Sequence, residues 1–117
     1  MRQACRMSEW CPKSIVTAPR IDSRRHREIH DALGRAAFEQ LLDRFFQEAE
    51  QLLATLRMAQ TADQTSRLRH NLAATAGQVG FIRLAMMARL ATAEDVPILR
   101  AEIGRLQVDR ERLTSAI

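Results

Sequence analysis

The chain has no tyrosine, one tryptophan, three prolines and four glycines in 117 residues. So little turn chemistry argues against a β-sandwich or barrel, whose strands need a turn every ~8–12 residues. Lysine is almost missing as well: Lys13 is the only one, and every other strong base is arginine. No run approaches the ~18 apolar residues of a membrane span. The opening residues lack the continuous apolar stretch of a secretory signal, so a cytoplasmic protein that engages no membrane is expected. No glycine-rich phosphate loop is present, and an ATP-binding or kinase domain is not expected. The only cysteines, Cys5 and Cys11, fall in the first dozen residues. They read as reduced thiols in a loose leader, which leaves no nucleophilic Cys/His site.

The formal charge is +4. Its arginines are spread along the chain and mixed with acids; only Arg24, Arg25 and Arg27 cluster, and few aromatics accompany them. That pattern speaks against a nucleic-acid surface.

Abundant alanine, leucine, arginine, glutamine and glutamate favour helix. Residues 1–21, with Trp10, Pro12 and Pro19, hold no sustained period. They read as a partly disordered extension, ordered where Trp10 or Ile15-Val16 packs on the rest. Residues 22–117 read as one domain. Asp22 or Ser23 caps a short helix reaching about Leu33, and Gly34 ends it. A second helix, about 35–59, carries Phe38, Leu41, Leu42, Phe45, Ala49, Leu52, Leu53 and Leu56 at i, i+3, i+4 spacing, with Phe46 widening the stripe. Thr61 and Gln64 form a capping box for a third helix, which runs to about Val79 and stops at Gly80. A fourth, about 81–93, is apolar nearly all round, with Phe81, Ile82, Leu84, Met86, Met87 and Leu90. Asp95 caps a fifth, with Pro97 in its first turn and Leu99, Ile103, Leu106, Leu113 and Ile117 near one stripe. Short connections between long helices predict an all-α fold: an up-down-up-down antiparallel four-helix bundle with a short extra N-terminal helix.

The residue with most chemical content is His70. At about 100° per residue, Leu68, Leu72 and Val79 lie opposite it, with Thr75 and Ala76 beside them. Ser66, Arg67, Ala73, Ala74 and Gly77 lie within about 60° of it. Three of those five have almost no side chain, an arrangement that leaves an imidazole open to a macromolecular partner. Imidazole is a nucleophile available in its neutral form near physiological pH, with Nε2 as the outward nitrogen. His26 and His30 are spaced i, i+4, which can hold a metal, but no third ligand accompanies them. They read as solvated, and no metal site is expected. Met86-Met87 reads as core filler.

The run from His70 to Gly80 resembles the histidine phosphotransfer (HPt) domain family, whose motif is roughly His-x-Leu-Lys-Gly-Ser/Ala-Ala/Ser-x-x-Leu/Val-Gly. His70, Leu72, Ala76, Val79 and Gly80 match, Thr75 nearly does, and Gly77 fits a position that is often small. Ile21-Asp22, Leu33-Gly34, Phe38 and the Leu41 to Phe45 run look like the family's first and second helices. Leu84, Ala88 and Leu90 to Glu94 look like its fourth. The resemblance implies that His70 is the phosphoacceptor, taking a phosphoryl group from an aspartate of one receiver domain and passing it to another. The protein would then be a phosphocarrier in a two-component phosphorelay rather than a stand-alone enzyme. It implies response-regulator receivers and a hybrid sensor kinase as partners, with Mg2+ held by the receiver and no cofactor bound here. Ser66, Arg67, Ala73, Ala74, Gly77 and Gln78 would form the docking rim, and a monomer is expected.

Two positions depart from the motif: its lysine is Ala73 and its glycine is Ala74. Arg67, one turn before His70, is the expected substitute for the missing charge, with Arg69 about 100° away and less well placed. The departures keep a second reading open, an HPt-like adaptor that binds a receiver without carrying phosphate; a scaffolding bundle is a third. The phosphoacceptor domain of a sensor kinase fits less well. Such domains usually place an acidic residue after the histidine and a proline a few positions on, where this chain has Asn71 and no proline through Val96.

Overall fold

The computed structural model describes Ile15 and residues 18–116, with the side chains of that range other than Glu111 and 113–116, and among them all regular structure is helical. Helix α1, Ser23–Leu33, starts at Asp22, whose carboxylate accepts the Arg25 N–H at 3.0 Å. It stops at Gly34, where φ is +84°.

Helix α2, Arg35–Arg57, follows at once and buries Phe38, Leu42, Phe45, Phe46, Ala49, Leu53 and Leu56. Leu41 and Leu52 flank that face, partly buried. The stripe read from periodicity is therefore the face that meets the core, and each fully buried large side chain on it contributes about 1.5–3 kcal/mol.

Helix α3, Ala62–Gln78, opens with the expected capping box. Gln64 N–H donates to Thr61 Oγ1 at 3.1 Å, and Gln64 Oε1 accepts the Thr61 N–H at 3.3 Å. At the far end the Phe81 N–H reaches back to the Ala76 carbonyl at 2.9 Å, around Gly80 at φ +81°. This left-handed turn sends α4, Ile82–Leu90, back along α3.

Helix α4 ends earlier than its apolar run suggests. A 3-10 turn, Ala93–Asp95, separates it from α5, Val96–Ala116. Asp95 does not cap α5 as expected. It is buried at the end of the 3-10 turn, and its Oδ2 accepts the Thr92 N–H at 2.8 Å and the Thr92 hydroxyl at 3.1 Å. Pro97 stands in the first turn of α5, where a missing N–H costs nothing.

Helices α2 and α5 run antiparallel. Arg100 lies 3.3 Å from Glu50, while Arg110, ten residues on, bonds Asp43 and donates to the Glu39 carbonyl at 2.9 Å. The Arg110 guanidinium holds the exposed Asp43 carboxyl below the usual carboxylate range. No helix among the described residues is long and apolar enough to cross a membrane.

The segment before α1 is tied to the body. Ile15 is buried with the core, Arg83 donates to the Ala18 carbonyl at 3.0 Å through Nε, and Arg20 Nε reaches Glu102 Oε1 at 3.3 Å. Ile15 thus packs on the rest of the chain. Trp10, Val16, Cys5, Cys11, Ile117 and the Leu113 side chain lie outside what is described.

The reading of His26 and His30 as solvated is wrong. His26 is 1% exposed. Its ring stands edge-on to Phe38 and Phe81, each with centroids 5.4 Å away. His30 is partly buried with its ring toward Phe38. The stripe of α1 that faces inward is His26, Ile29 and His30, one helical face at i, i+3, i+4. The imidazole of His26 serves there as a flat, mostly apolar wedge.

The wedge seats against the α3–α4 turn. A Cβ built on Gly80 would stand 2.8 Å from His26 Cδ2 and 3.3 Å from Arg25 Cβ. The Asp22 N–H donates to the Gly80 carbonyl at 2.8 Å, and Arg25 Nε donates to the Gln78 carbonyl at 3.3 Å. Gly80→Ala therefore meets positive φ and a ring that is held on both sides. It should lower stability by about 2–4 kcal/mol, a shift that chemical denaturation reads directly.

Burial lowers the pKa of His26, outweighing the pull of the Val79 carbonyl and the Asp22 carboxylate, and neither ring nitrogen completes a hydrogen bond. The folded state thus prefers the neutral ring more than the unfolded chain does. That preference is fully felt above about pH 6.5 and is lost as pH falls below it, by at most about 1.4 kcal/mol per pH unit. His26→Leu keeps similar volume and removes both the titration and the unpaired nitrogens. Urea melts from pH 7.5 to 5 should show wild type losing more stability than His26→Leu.

Candidate functional site

His70 lies mid-way along α3 and is exposed. Leu72, Ala76 and Val79 are buried on the far side, with Leu68 partly buried, as the helical period requires. The ring stands on a ridge between two open hollows. The first, about 390 Å³, is lined by Ser66, Arg69, His70, Ala73 and Ala74 of α3 and by Arg89 of α4. The second, about 460 Å³, lies on the α2 side and joins Glu48, Gln51, Leu52 and Thr55 to His70, Asn71, Ala74 and Thr75.

The predicted rim residues divide. Ser66, Ala73 and Ala74 line the first hollow with His70. Gly77 and Gln78 are exposed one to two turns further along α3, and no atom lies within 4 Å of a Cβ built on Gly77. Arg67 goes elsewhere. Its Nε lies 3.6 Å from Asp63 Oδ2, and it lines a third hollow with Thr55, Met58, Ala59, Gln64, Leu68 and Asn71. The arginines beside His70 are Arg69 and Arg89, and neither has a carboxylate or hydrogen-bond partner among the described residues.

Arg27, Arg44, Arg57, Arg105 and Arg112 likewise have no carboxylate within 4 Å among the described residues, but none of them lines either hollow beside His70. Arg20, Arg24, Arg25, Arg35, Arg67, Arg100 and Arg110 each have a carboxylate within 4 Å. Arg69 also borders a neighbouring hollow with Thr92, Ala93 and Glu94. Glu48 is the acid on the α2 side. His70 thus divides a flank carrying two arginines from one carrying a carboxylate.

Ala73 corrects the reading of the small-residue collar. It borders the first hollow but is only 7% exposed, so it adds little open surface beside the ring. Helix α4 leans on that side of α3 and contributes the small buried residues Ala85 and Ala88. The absence of a large side chain at 73 therefore serves helix packing, whereas Ala74 and Gly77 remain exposed.

Arg89 is the site residue that periodicity on α3 has no means of finding, because it arrives from another helix. Its own helix carries a signal: Arg83 and Arg89 are the only charged residues from Ile82 to Leu90. Arg83 is held by the Ala18 carbonyl, which leaves Arg89 as the free base of α4.

Among the described residues no group of three or more His, Cys, Asp and Glu is placed to hold a metal. A scan of protein-family models, a search of curated proteins and a search of solved structures each returned no match to this chain.

Enlarging positions 73 and 74 separates packing from access. Ala73→Leu should destabilise the fold by about 1–3 kcal/mol through overpacking. Ala74→Leu should stay within about 0.5 kcal/mol of wild type, since the added atoms enter solvent. Thermal unfolding of the pair reads the difference.

Proposed function

We propose that this chain is a histidine phosphocarrier of the HPt kind, relaying a phosphoryl group between receiver-domain aspartates through His70. The observation that carries this reading is the exposed imidazole at the middle of α3, beside two arginines without partners. In this reading α2 to α5 form an antiparallel up-down-up-down bundle, with α1 as the extra N-terminal helix.

Phosphoryl transfer asks little covalent chemistry of a protein beyond alignment and neutralisation of charge on the moving oxygens. The lone pair of neutral Nε2 attacks the phosphorus of an aspartyl phosphate. The N–P bond forms as the acyl O–P bond breaks, and the receiver's carboxylate leaves with the electron pair. The Nδ1 proton stays on the ring, whose positive charge then balances part of the phosphoryl charge. The reverse sequence passes the group to a second receiver. Mg2+ held by the receiver supplies charge neutralisation on its own side. This chain contributes a nucleophile on a rigid helix, open space on both flanks, and cations on one of them.

A second reading has its own observation. Ala73 stands where the motif has lysine and is covered by α4, as an HPt-like adaptor that docks a receiver without phosphate would tolerate.

Transfer from a panel of phosphorylated receiver domains separates the two, with His70→Gln as control. The carrier reading expects acid-labile, alkali-stable label on wild type and none on the variant. A receiver that binds wild type and His70→Ala equally, with no label on His70, overturns it in favour of the adaptor.

A further inference from the structure

We propose that Arg89 of α4, assisted by Arg69, is the cation that faces the phosphoryl oxygens on His70, replacing the lysine that position 73 lacks. This rests on the phosphocarrier reading and names how its site handles charge.

Three observations carry it. Arg69, His70 and Arg89 line one open hollow with Ser66, Ala73 and Ala74. The seven arginines with carboxylates within 4 Å include Arg67, the base that α3 alone would suggest, while Arg69 and Arg89 have no such partner. A guanidinium left unpaired beside a nucleophile can receive an anion without first breaking an ion pair. Third, the short side chain at Ala73 opens the hollow between His70 and α4. A long side chain there would lie across the route from Arg89 to the ring. Alanine at 73 and arginine at 89 are thus two halves of one arrangement, in which the charge comes from the neighbouring helix instead of the next turn.

The site is open to water, so the effect is moderate. One unit charge a few ångströms from the moving oxygens in a high effective dielectric corresponds to about a five- to tenfold change in rate. Arg89→Lys keeps the charge and should lose less. Arg67→Ala should change nothing, because that base already belongs to Asp63.

The test uses phosphoramidate, a donor small enough to need no docking surface. His70 attacks its phosphorus, the N–P bond to the ring forms, and ammonia leaves with the old bonding pair. The rate of His70 labelling and the hydrolysis rate of the phosphohistidine are followed on the full chain. Wild type, Arg89→Ala, Arg89→Lys, Arg69→Ala, Arg67→Ala and His70→Gln are compared, with thermal unfolding as the check of fold. The expected result is labelling slowed about five- to tenfold in Arg89→Ala at subsaturating donor. Loss in Arg69→Ala should be smaller. Arg89→Lys should keep most of the rate that Arg89→Ala loses, at equal thermal stability, which a purely structural role of the arginine would not allow. Equal rates and lifetimes in wild type and Arg89→Ala overturn this inference and leave the carrier reading standing. Wild type that never labels, from phosphoramidate or from any receiver, overturns both.

Discussion

The structure depends on the close approach of three segments at Gly80. Its φ of +81° turns the chain from α3 into α4, its carbonyl accepts the Asp22 N–H, and its missing side chain leaves room for the His26 ring. A residue with a Cβ here would strain the turn and displace the wedge together. Because the turn is tight, α4 returns directly along α3, and small residues at Ala73, Ala76, Ala85 and Ala88 are buried among the core side chains. The path of α4 brings Arg89 beside His70. The chemistry of the site is therefore set by a backbone conformation ten residues from the histidine.

The same turn joins packing to polarity. His26 fills a space between Phe38 and Phe81 that a leucine or phenylalanine would fill in most cores. Its two ring nitrogens are buried without hydrogen bonds, a cost that an apolar side chain would avoid. Hydrogen bonds from Asp22 and Arg25 to the carbonyls of Gly80 and Gln78 hold α1 against the end of α3. The histidine-bearing helix is thus fixed at its start by the Thr61–Gln64 box and at its end by α1, and His70 lies near the middle of a segment anchored at both termini. Under the proposed phosphocarrier reading, a nucleophile aligned with a partner's phosphorus would gain from that rigidity, since misplacement by about 1 Å can cost ~10²-fold in rate.

What could be read beforehand depended on how local the cause was. The α2 stripe, the Thr61–Gln64 box, the Gly80 stop and the exposure of His70 each follow from residues within one or two turns, and each is found where expected. The misreadings share a different origin. Polarity alone makes histidine at 26 read as solvated, although its i, i+3 relation to Ile29 marks an inward face. The commonest task of an aspartate before a helix is to cap it, but an intervening 3-10 turn takes the Asp95 carboxylate for Thr92. Ala73 belongs with them: small residues serve close helix packing and partner access equally well, and only the position of α4 decides between them. Angle alone favours Arg67 over Arg69 and leaves out the Asp63 carboxylate one turn away that engages it.

The arginines give the site its final constraint. In a chain with one lysine, nearly all positive charge is planar, persistent and suited to pairing with carboxylates. Along α1, α2 and α5 several of these side chains pair with acids. Exposed pairs of this kind contribute little to stability, so their absence around Arg69 and Arg89 costs the fold little too. What it changes is the local field. Two unpaired guanidiniums stand on one flank of His70 and Glu48 on the other, so an anion approaching the ring meets attraction on the α4 side and repulsion on the α2 side. Such asymmetry orients an encounter before contact and weakens with salt over the ~8–10 Å Debye length. Under the proposed phosphocarrier reading, the arginine-bearing flank is where an aspartyl phosphate would find its counter-charge.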